Sequence, residues 1–163
     1  MKRITFGVEE VFMSSEGTTQ IDVVGMAREA YRQRWSSTAD VSTSTRESQA
    51  ICREWQQCVK ALDATRFDVE VRVSDVFRER IDLVDRATAT AYELKVSGNN
   101  PAHEFFKDVF KVLEHNLSGG GGIRLLVFLT DSAGVRRLRG GLGRSLLENS
   151  HDLGFKVALE SLD

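Results

Sequence analysis

Apolar and polar side chains alternate along several short stretches of this chain. The clearest case covers residues 67–73, where four apolar side chains are separated by three charged ones. A period of two predicts a strand with one buried face. Residues 80–84 and 89–96 have the same character, and residues 155–159 supply a closing strand. The uninterrupted apolar run 123–129 predicts a strand buried on both faces.

Apolar residues spaced three to four apart predict helices over residues 22–35, 44–62, 101–117 and 135–149. Ser44 and Glu47 have the spacing of a capping box, so we expect the second helix to begin there. Asn100 followed by Pro101 is typical of a helix start. Glycines interrupt the last helix, and the polar stretch 36–45 predicts a loop.

The predicted elements form one domain. From residue 44 onward they run helix, three meandering strands, helix, strand, helix, strand, which predicts an α/β fold with a central mixed sheet flanked by helices. Residues 1–43, including a β-like stretch over residues 2–13, form an N-terminal extension packed on this core of residues 44–163. A chain of 163 residues is long enough to bury a core.

Two neighbouring predicted strands bring acids and a base together: one carries Asp82, and the other carries Glu93 and Lys95. Glu93 and Lys95 share a face because side chains alternate. If the two strands form a hairpin with an even-numbered loop around residues 85–88, Asp82 lies opposite Ala91, on the face of Glu93. An odd loop would put Asp85 there instead. The other face receives a mostly apolar set: Ile81, Leu83, Tyr92, Leu94 and Val96.

Converging carboxylates cost desolvation energy unless they are paired or bound to a metal. Mg²⁺ prefers oxygen ligands, usually one or two carboxylates with water and phosphate oxygens. Such an ion polarises a phosphodiester and activates a bound water, and a nearby lysine can orient that water or offset transition-state charge. The alternative is an ordinary hairpin whose solvated Asp, Glu and Lys form weak surface ion pairs.

Asp82 followed eleven residues later by Glu93-Leu94-Lys95 resembles the PD-(D/E)xK motif of restriction-endonuclease-like nucleases. Ile81 stands where that family often has proline. The order of elements is similar to the family's αβββαβ core, a three-layer fold, over about 120 of the 163 residues. The resemblance implies a Mg²⁺-dependent endonuclease, with Mn²⁺ as a substitute, acting on DNA. Asp82, Glu93 and the Leu94 carbonyl would bind the ion, and Lys95 would position the attacking water.

Members of this family often add a glutamate from the first core helix. Glu47 is the candidate and Glu54 the runner-up, although Glu47 could instead be the capping partner of Ser44. Ser97 could touch a phosphate or simply form a turn. Lys107 and Lys111, one helical turn apart, could reach the DNA backbone, but each has an acid nearby, so a solvated helix face is expected.

Four arginines with no acid among them lie between residues 132 and 147: Arg136, Arg137, Arg139 and Arg144. They are candidates for DNA phosphate contacts, or alternatively a solvated helix face. The net charge of −2 and pI near 6.0 give no global support for nucleic-acid binding. No stretch has the length of a membrane span or signal peptide, so a cytoplasmic location is expected. Cys52 and Cys58 lie in one predicted helix, too divergent in direction to bond.

Two alternatives stay open at this point. The chain could be a nucleic-acid-binding or protein-binding module that keeps the fold without cleaving, or a nuclease directed at RNA. The resemblance also implies that a homodimer is possible, and the small size favours a partner protein that supplies target recognition, or little sequence preference. The target and the biological role do not follow from one chain.

Overall fold

The computed structural model describes residues 21–35, 41–97 and 100–163, without the side chains of 41–44 and 142. The elements in chain order are α1 (Val23–Arg34), α2 (Val41–Leu62), β1 (Phe67–Arg72), β2 (Arg80–Asp85), β3 (Thr90–Leu94), α3 (Pro101–Leu117), β4 (Leu125–Thr130), α4 (Ser132–Leu138), α5 (Gly141–Glu148), a 3₁₀ turn (Ser150–Leu153) and β5 (Lys156–Ser161). The β-like stretch expected over residues 2–13 lies outside the described residues. Within the described part of the chain, no helix is long and apolar enough to cross a membrane.

The five strands form one sheet in which spatial order follows chain order. β1, β2 and β3 are antiparallel neighbours, whereas β3, β4 and β5 run parallel. A parallel pair needs a crossover connection, and α3 supplies it between β3 and β4. The predicted α/β class with a mixed sheet flanked by helices is therefore confirmed.

Two apolar clusters lie on opposite faces of the sheet, which makes three layers. One contains buried residues of α1 and α2, with Trp55 fully enclosed among them, and Leu83, Leu94 and Leu129 from the strands. The other packs α3 and α4 against Leu126 and Phe128 of β4. Leu126 and Leu129 face different clusters, so β4 is buried on both faces, as the apolar run predicted.

The second helix begins three residues earlier than predicted. α2 starts at Val41, so Ser44 lies inside the helix rather than at its N-cap, and the expected loop over residues 36–45 is wrong from residue 41 onward. Helix propensity is a weak preference that tertiary packing overrides, and this helix is held by its buried Ile51, Trp55 and Val59. Leu62 is the last helical residue and is 59% exposed.

The last predicted helix is two helices. Gly140 is extended at the N-cap of α5, and Gly141 has a positive φ of 56°. Glycine adopts that left-handed conformation without a Cβ clash, so the chain turns here instead of continuing as one helix. The remaining elements match their predicted positions within one to two residues.

Strand alternation is broken at one place in β1 and β2. Glu70 has a φ of 52°, and Val69 packs in the cluster of α1 and α2 whereas Val71 packs in that of α3. On β2, Leu83 and Ile81 are divided between the two clusters in the same way. The prediction that Ile81 shares a face with Leu83 is therefore wrong. The break falls beside Asp82.

Candidate active site

The hairpin places Asp82 across from Glu93. Strands β2 and β3 are joined by a four-residue turn, and Val84 pairs with Ala91. The predicted even loop is confirmed, but the register differs by two residues: continuing it brings Asp82 opposite Glu93 rather than Ala91. Asp82 and not Asp85 shares the face of Glu93, as expected.

Asp85 explains why the turn is later than predicted. Its buried carboxylate accepts hydrogen bonds from Arg66 Nε at 2.9 Å and Nη2 at 2.7 Å, and from the turn at Ala87 N and Thr88 Oγ1. These bonds keep Asp85 in the strand, so the turn begins at Arg86. Burial opposes ionisation of Asp85, but the bonds from Arg66 and Thr88 outweigh it and lower its pKa.

The ladder between β2 and β3 changes character at Asp82. Leu94 N–H donates to Asp82 Oδ2 at 3.0 Å instead of to a backbone carbonyl. The Asp82 carbonyl accepts from Gln56 Nε2 of α2 at 2.9 Å. Gln56 thereby satisfies a backbone group that the break in alternation leaves outside the ladder. Burial raises the pKa of Asp82, and the bond from Leu94 acts against that rise.

A cavity of about 330 Å³ opens between α2 and the ends of β2 and β3. Asp82, Leu94, Lys95 and Ser97 all line it, so the structure brings four of the predicted site residues together. Val96 also lines it, and the rest of its wall comes from α2 and β1: Ser48, Gln49, Cys52, Arg53, Gln56 and Glu70. Cys52 is half-buried near Asp82, and the burial of its thiol and the charge of Asp82 raise the thiol pKa to about 12. Both cysteines are free.

Glu93 does not line this cavity. It is fully buried, and Lys111 Nζ lies 3.1 Å from its Oε1 and 3.2 Å from its Oε2. The same ammonium is 2.7 Å from Asp108 Oδ1. Burial and the charges of Asp82 and Asp108 raise the pKa of Glu93 well above its ordinary value. Burial acts to lower the pKa of Lys111, but Glu93 and Asp108 outweigh it and raise that pKa.

Lys111 therefore corrects the expectation of a solvated helix face. It is 4% exposed, whereas Lys107 is partly exposed and pairs with Glu79 at 3.0 Å. The signal was present in the sequence, because Glu104, Asp108, Lys111 and His115 are spaced four, three and four residues apart. That spacing forms a polar stripe along one face of α3, beside the apolar stripe. Charged residues on a helix are usually solvated, so such a stripe does not by itself predict burial.

Lys95 bonds to the same helix. Its Nζ lies 2.8 Å from Glu104 Oε2, and both side chains are about one third exposed. Burial acts to lower the pKa of Lys95, but Asp108 and Glu104 raise it. The bond to Lys95 lowers the pKa of Glu104.

With every group in its ionised form, the cluster has an excess of negative charge. Four carboxylates face two ammonium groups: Asp82, Glu93, Glu104 and Asp108 against Lys95 and Lys111. The formal imbalance equals the charge of one divalent cation, and carboxylate oxygens are ligands that Mg²⁺ prefers. The residues therefore fit such an ion in kind and charge. In the structure, however, the Lys111 ammonium already binds both carboxylate oxygens of Glu93. Among the described residues, no three His, Cys, Asp or Glu side chains are placed to hold a metal.

The glutamates of α2 do not join the cavity wall. Glu54 forms an ion pair with Arg34 of α1, 2.7 Å from the arginine Nε. Glu47 does not line the cavity, and its Oε2 is buried with no hydrogen-bond donor among the described residues. Its expected capping role is also wrong, because Ser44 is inside α2.

The arginines of the predicted phosphate-binding segment fall on α4, the following residue and α5. Arg136, Arg137 and Arg139 are exposed, and no described acidic residue pairs with them. Arg144 pairs instead with Glu148, 2.8 Å away on the same helix.

Comparison with family models, with curated proteins and with solved structures gave no match to this chain.

Proposed function

We propose that this chain is a divalent-metal-dependent nuclease with the restriction-endonuclease-like fold, acting on phosphodiester bonds of DNA. One observation carries the proposal. Asp82 lies close enough to Glu93 for its charge to raise the pKa of Glu93, accepts a hydrogen bond from the backbone of Leu94, and shares a cavity with Leu94 and Lys95, within a cluster whose formal excess of negative charge a divalent cation would neutralise. Burying an excess of negative charge costs desolvation free energy unless a cation compensates it.

Each residue of the proposed site would have its own role. Asp82, Glu93 and the Leu94 carbonyl would hold Mg²⁺ or Mn²⁺, which when bound polarises a phosphodiester and lowers the pKa of a water ligand. Lys95 lines the same cavity, and its ammonium would orient water or balance charge on the phosphate. Ser97 at the cavity wall can donate to a phosphate oxygen. Glu104 holds Lys95 at this place from α3.

Exposed cations in both helical layers are the candidate contacts for the DNA backbone. Arg53 is exposed at the cavity wall, and Arg136, Arg137 and Arg139 are exposed without described acidic partners. Phosphate contacts of this kind give affinity without sequence readout. A second copy or a partner protein would supply target selection.

The test is cleavage by purified protein in Mg²⁺, Mn²⁺ or EDTA, on supercoiled, single-stranded and branched DNA and on RNA. We expect metal-dependent cleavage of DNA that falls by about 100-fold or more in Asp82→Asn and Lys95→Ala, since each removes a group that acts on the reacting phosphate. Asp75→Asn, an acid in the exposed loop between β1 and β2, is the matched control and should cleave normally. Equal cleavage by all variants would place the activity elsewhere, and cleavage of RNA alone would reassign the substrate.

A catalytically silent module of the same fold is the second candidate. The full burial of Glu93 and the contact of Lys111 with both its oxygens favour it, since the ammonium already fills the cation's role. Such a module would bind DNA without cutting it under every metal condition.

A further inference from the structure

Lys111 is a built-in cation for the acidic cluster. Its ammonium contacts three carboxylate oxygens, two of Glu93 and one of Asp108. All three side chains are almost completely inaccessible to water. Isolated buried carboxylates cost several kcal/mol each, so the cluster cannot remain ionised without an internal partner.

The contacts of Lys111 are not equivalent. Asp108 lies three residues earlier on the same helix, at 2.7 Å, whereas Glu93 lies across the interface on β3, at 3.1 and 3.2 Å. Asp108 Oδ2 is buried and receives no hydrogen bond from a described residue. Lys111 can therefore leave Glu93 by a side-chain movement and still keep a carboxylate partner on its own helix.

We propose that Lys111 is a displaceable counter-ion: it holds Glu93 in the metal-free protein, and passes it to a divalent cation by moving onto Asp108. The inference rests on the proposed function for the identity of the cation. In this role Lys111 is a positioning residue, which touches neither substrate nor reacting water. It makes the metal-free protein stable at the cost of competing with the metal for Glu93.

Lys111→Met tests the competition, because methionine keeps much of the side-chain volume and removes the charge. In EDTA we expect Lys111→Met to melt at a lower temperature than the parent protein, since the buried carboxylates lose their counter-ion. Added Mn²⁺ should raise its melting temperature more than that of the parent. Calorimetry should show Mn²⁺ bound roughly tenfold or more tightly, because no internal cation competes.

Lys107→Met is the matched control: the same substitution one turn away on α3, at a lysine that pairs with Glu79 near the surface. It should bind Mn²⁺ as the parent does. Glu93→Gln/Lys111→Met removes the acid together with its counter-ion, and should fold in EDTA without responding to Mn²⁺. If Lys111→Met is unfolded in EDTA, folding on addition of Mn²⁺ supports the exchange.

Two results would overturn the inference. One is Mn²⁺ affinity in Lys111→Met no tighter than in the parent and Lys107→Met. The other is a Lys111→Met protein that stays unfolded with Mn²⁺ while the double variant folds, which would make Lys111 a permanent partner. Metal binding is measured without substrate, so a chain that exchanges Lys111 for Mn²⁺ but cuts no nucleic acid would refute only the nuclease.

Discussion

Asp85→Asn should destabilise the protein by breaking the ion pair that ends strand β2. Asp85 is 1% exposed and accepts four hydrogen bonds, two of them from Arg66, whose side chain is 14% exposed. Asparagine keeps the shape but loses the charge and one acceptor oxygen, which leaves the Arg66 guanidinium poorly compensated. Removing one member of a buried pair costs about 3–5 kcal/mol.

The lower end of that range, about 3 kcal/mol, is expected because Arg66 keeps some contact with water. Urea unfolding at pH 7 should show a lower midpoint with an unchanged m value, since the surface exposed on unfolding is the same. In a domain of this size the melting temperature should fall by about 6–12 °C.

The loss should also depend on pH in a defined direction. The pKa of Asp85 is lowered in the folded protein, so its contribution is complete above the unfolded pKa of about 4 and disappears as pH falls through the lower, folded value. The difference between parent and variant should therefore begin to shrink below about pH 4 and be lost below the folded pKa of Asp85.

Asp68→Asn provides the control. Asp68 on β1 pairs with Arg86 through both carboxylate oxygens, but the arginine is 59% exposed, and water replaces such a partner readily. Little change in the urea midpoint is expected. Equal losses in the two variants, or a difference that persists unchanged at low pH, would refute the role given to burial.

Two further expectations concern the site and its surroundings. The thiol pKa of Cys52 is raised to about 12 by burial and by Asp82, so Cys52 should react with iodoacetamide at pH 8 far more slowly in the folded protein than after unfolding in urea. Mass spectrometry of time points measures the labelling rate. Rapid labelling of the folded protein would contradict the described cavity wall. The combined substitution of Arg136, Arg137 and Arg139 by alanine should weaken DNA binding and lower the slope of log K against log salt by about 2–3, measured by fluorescence anisotropy between low and moderate salt; an unchanged slope would mean that this face makes no phosphate contact.

Strand parity could be predicted from the sequence because it depends on local alternation alone. The positions of Asp82 and Glu93 on one face required only two β-like runs and an even loop. The exact register depended on Asp85, which stays in its strand because Arg66, nineteen residues earlier, binds it. A contact of that separation has no pattern in the residues next to Asp85.

The change of strand face at Glu70 could not be predicted from the alternation of apolar and polar residues either. The sequence over residues 67–73 alternates without interruption, yet the left-handed backbone at Glu70 sends Val71 to the opposite layer from Val69. Packing against two helical layers decides this position, and packing is not local. The same limit applies to Lys111, whose burial follows from where the crossover helix docks.

The route of the chain ties completion of the site to completion of the fold. Asp82 and Glu93 meet within a hairpin closed by a four-residue turn, a contact that local search forms quickly. Lys111 lies eighteen residues after Glu93, on the helix that connects β3 to β4. The buried carboxylate of Glu93 therefore gains its counter-ion only when this crossover helix docks on the sheet, so the hairpin alone does not complete the site.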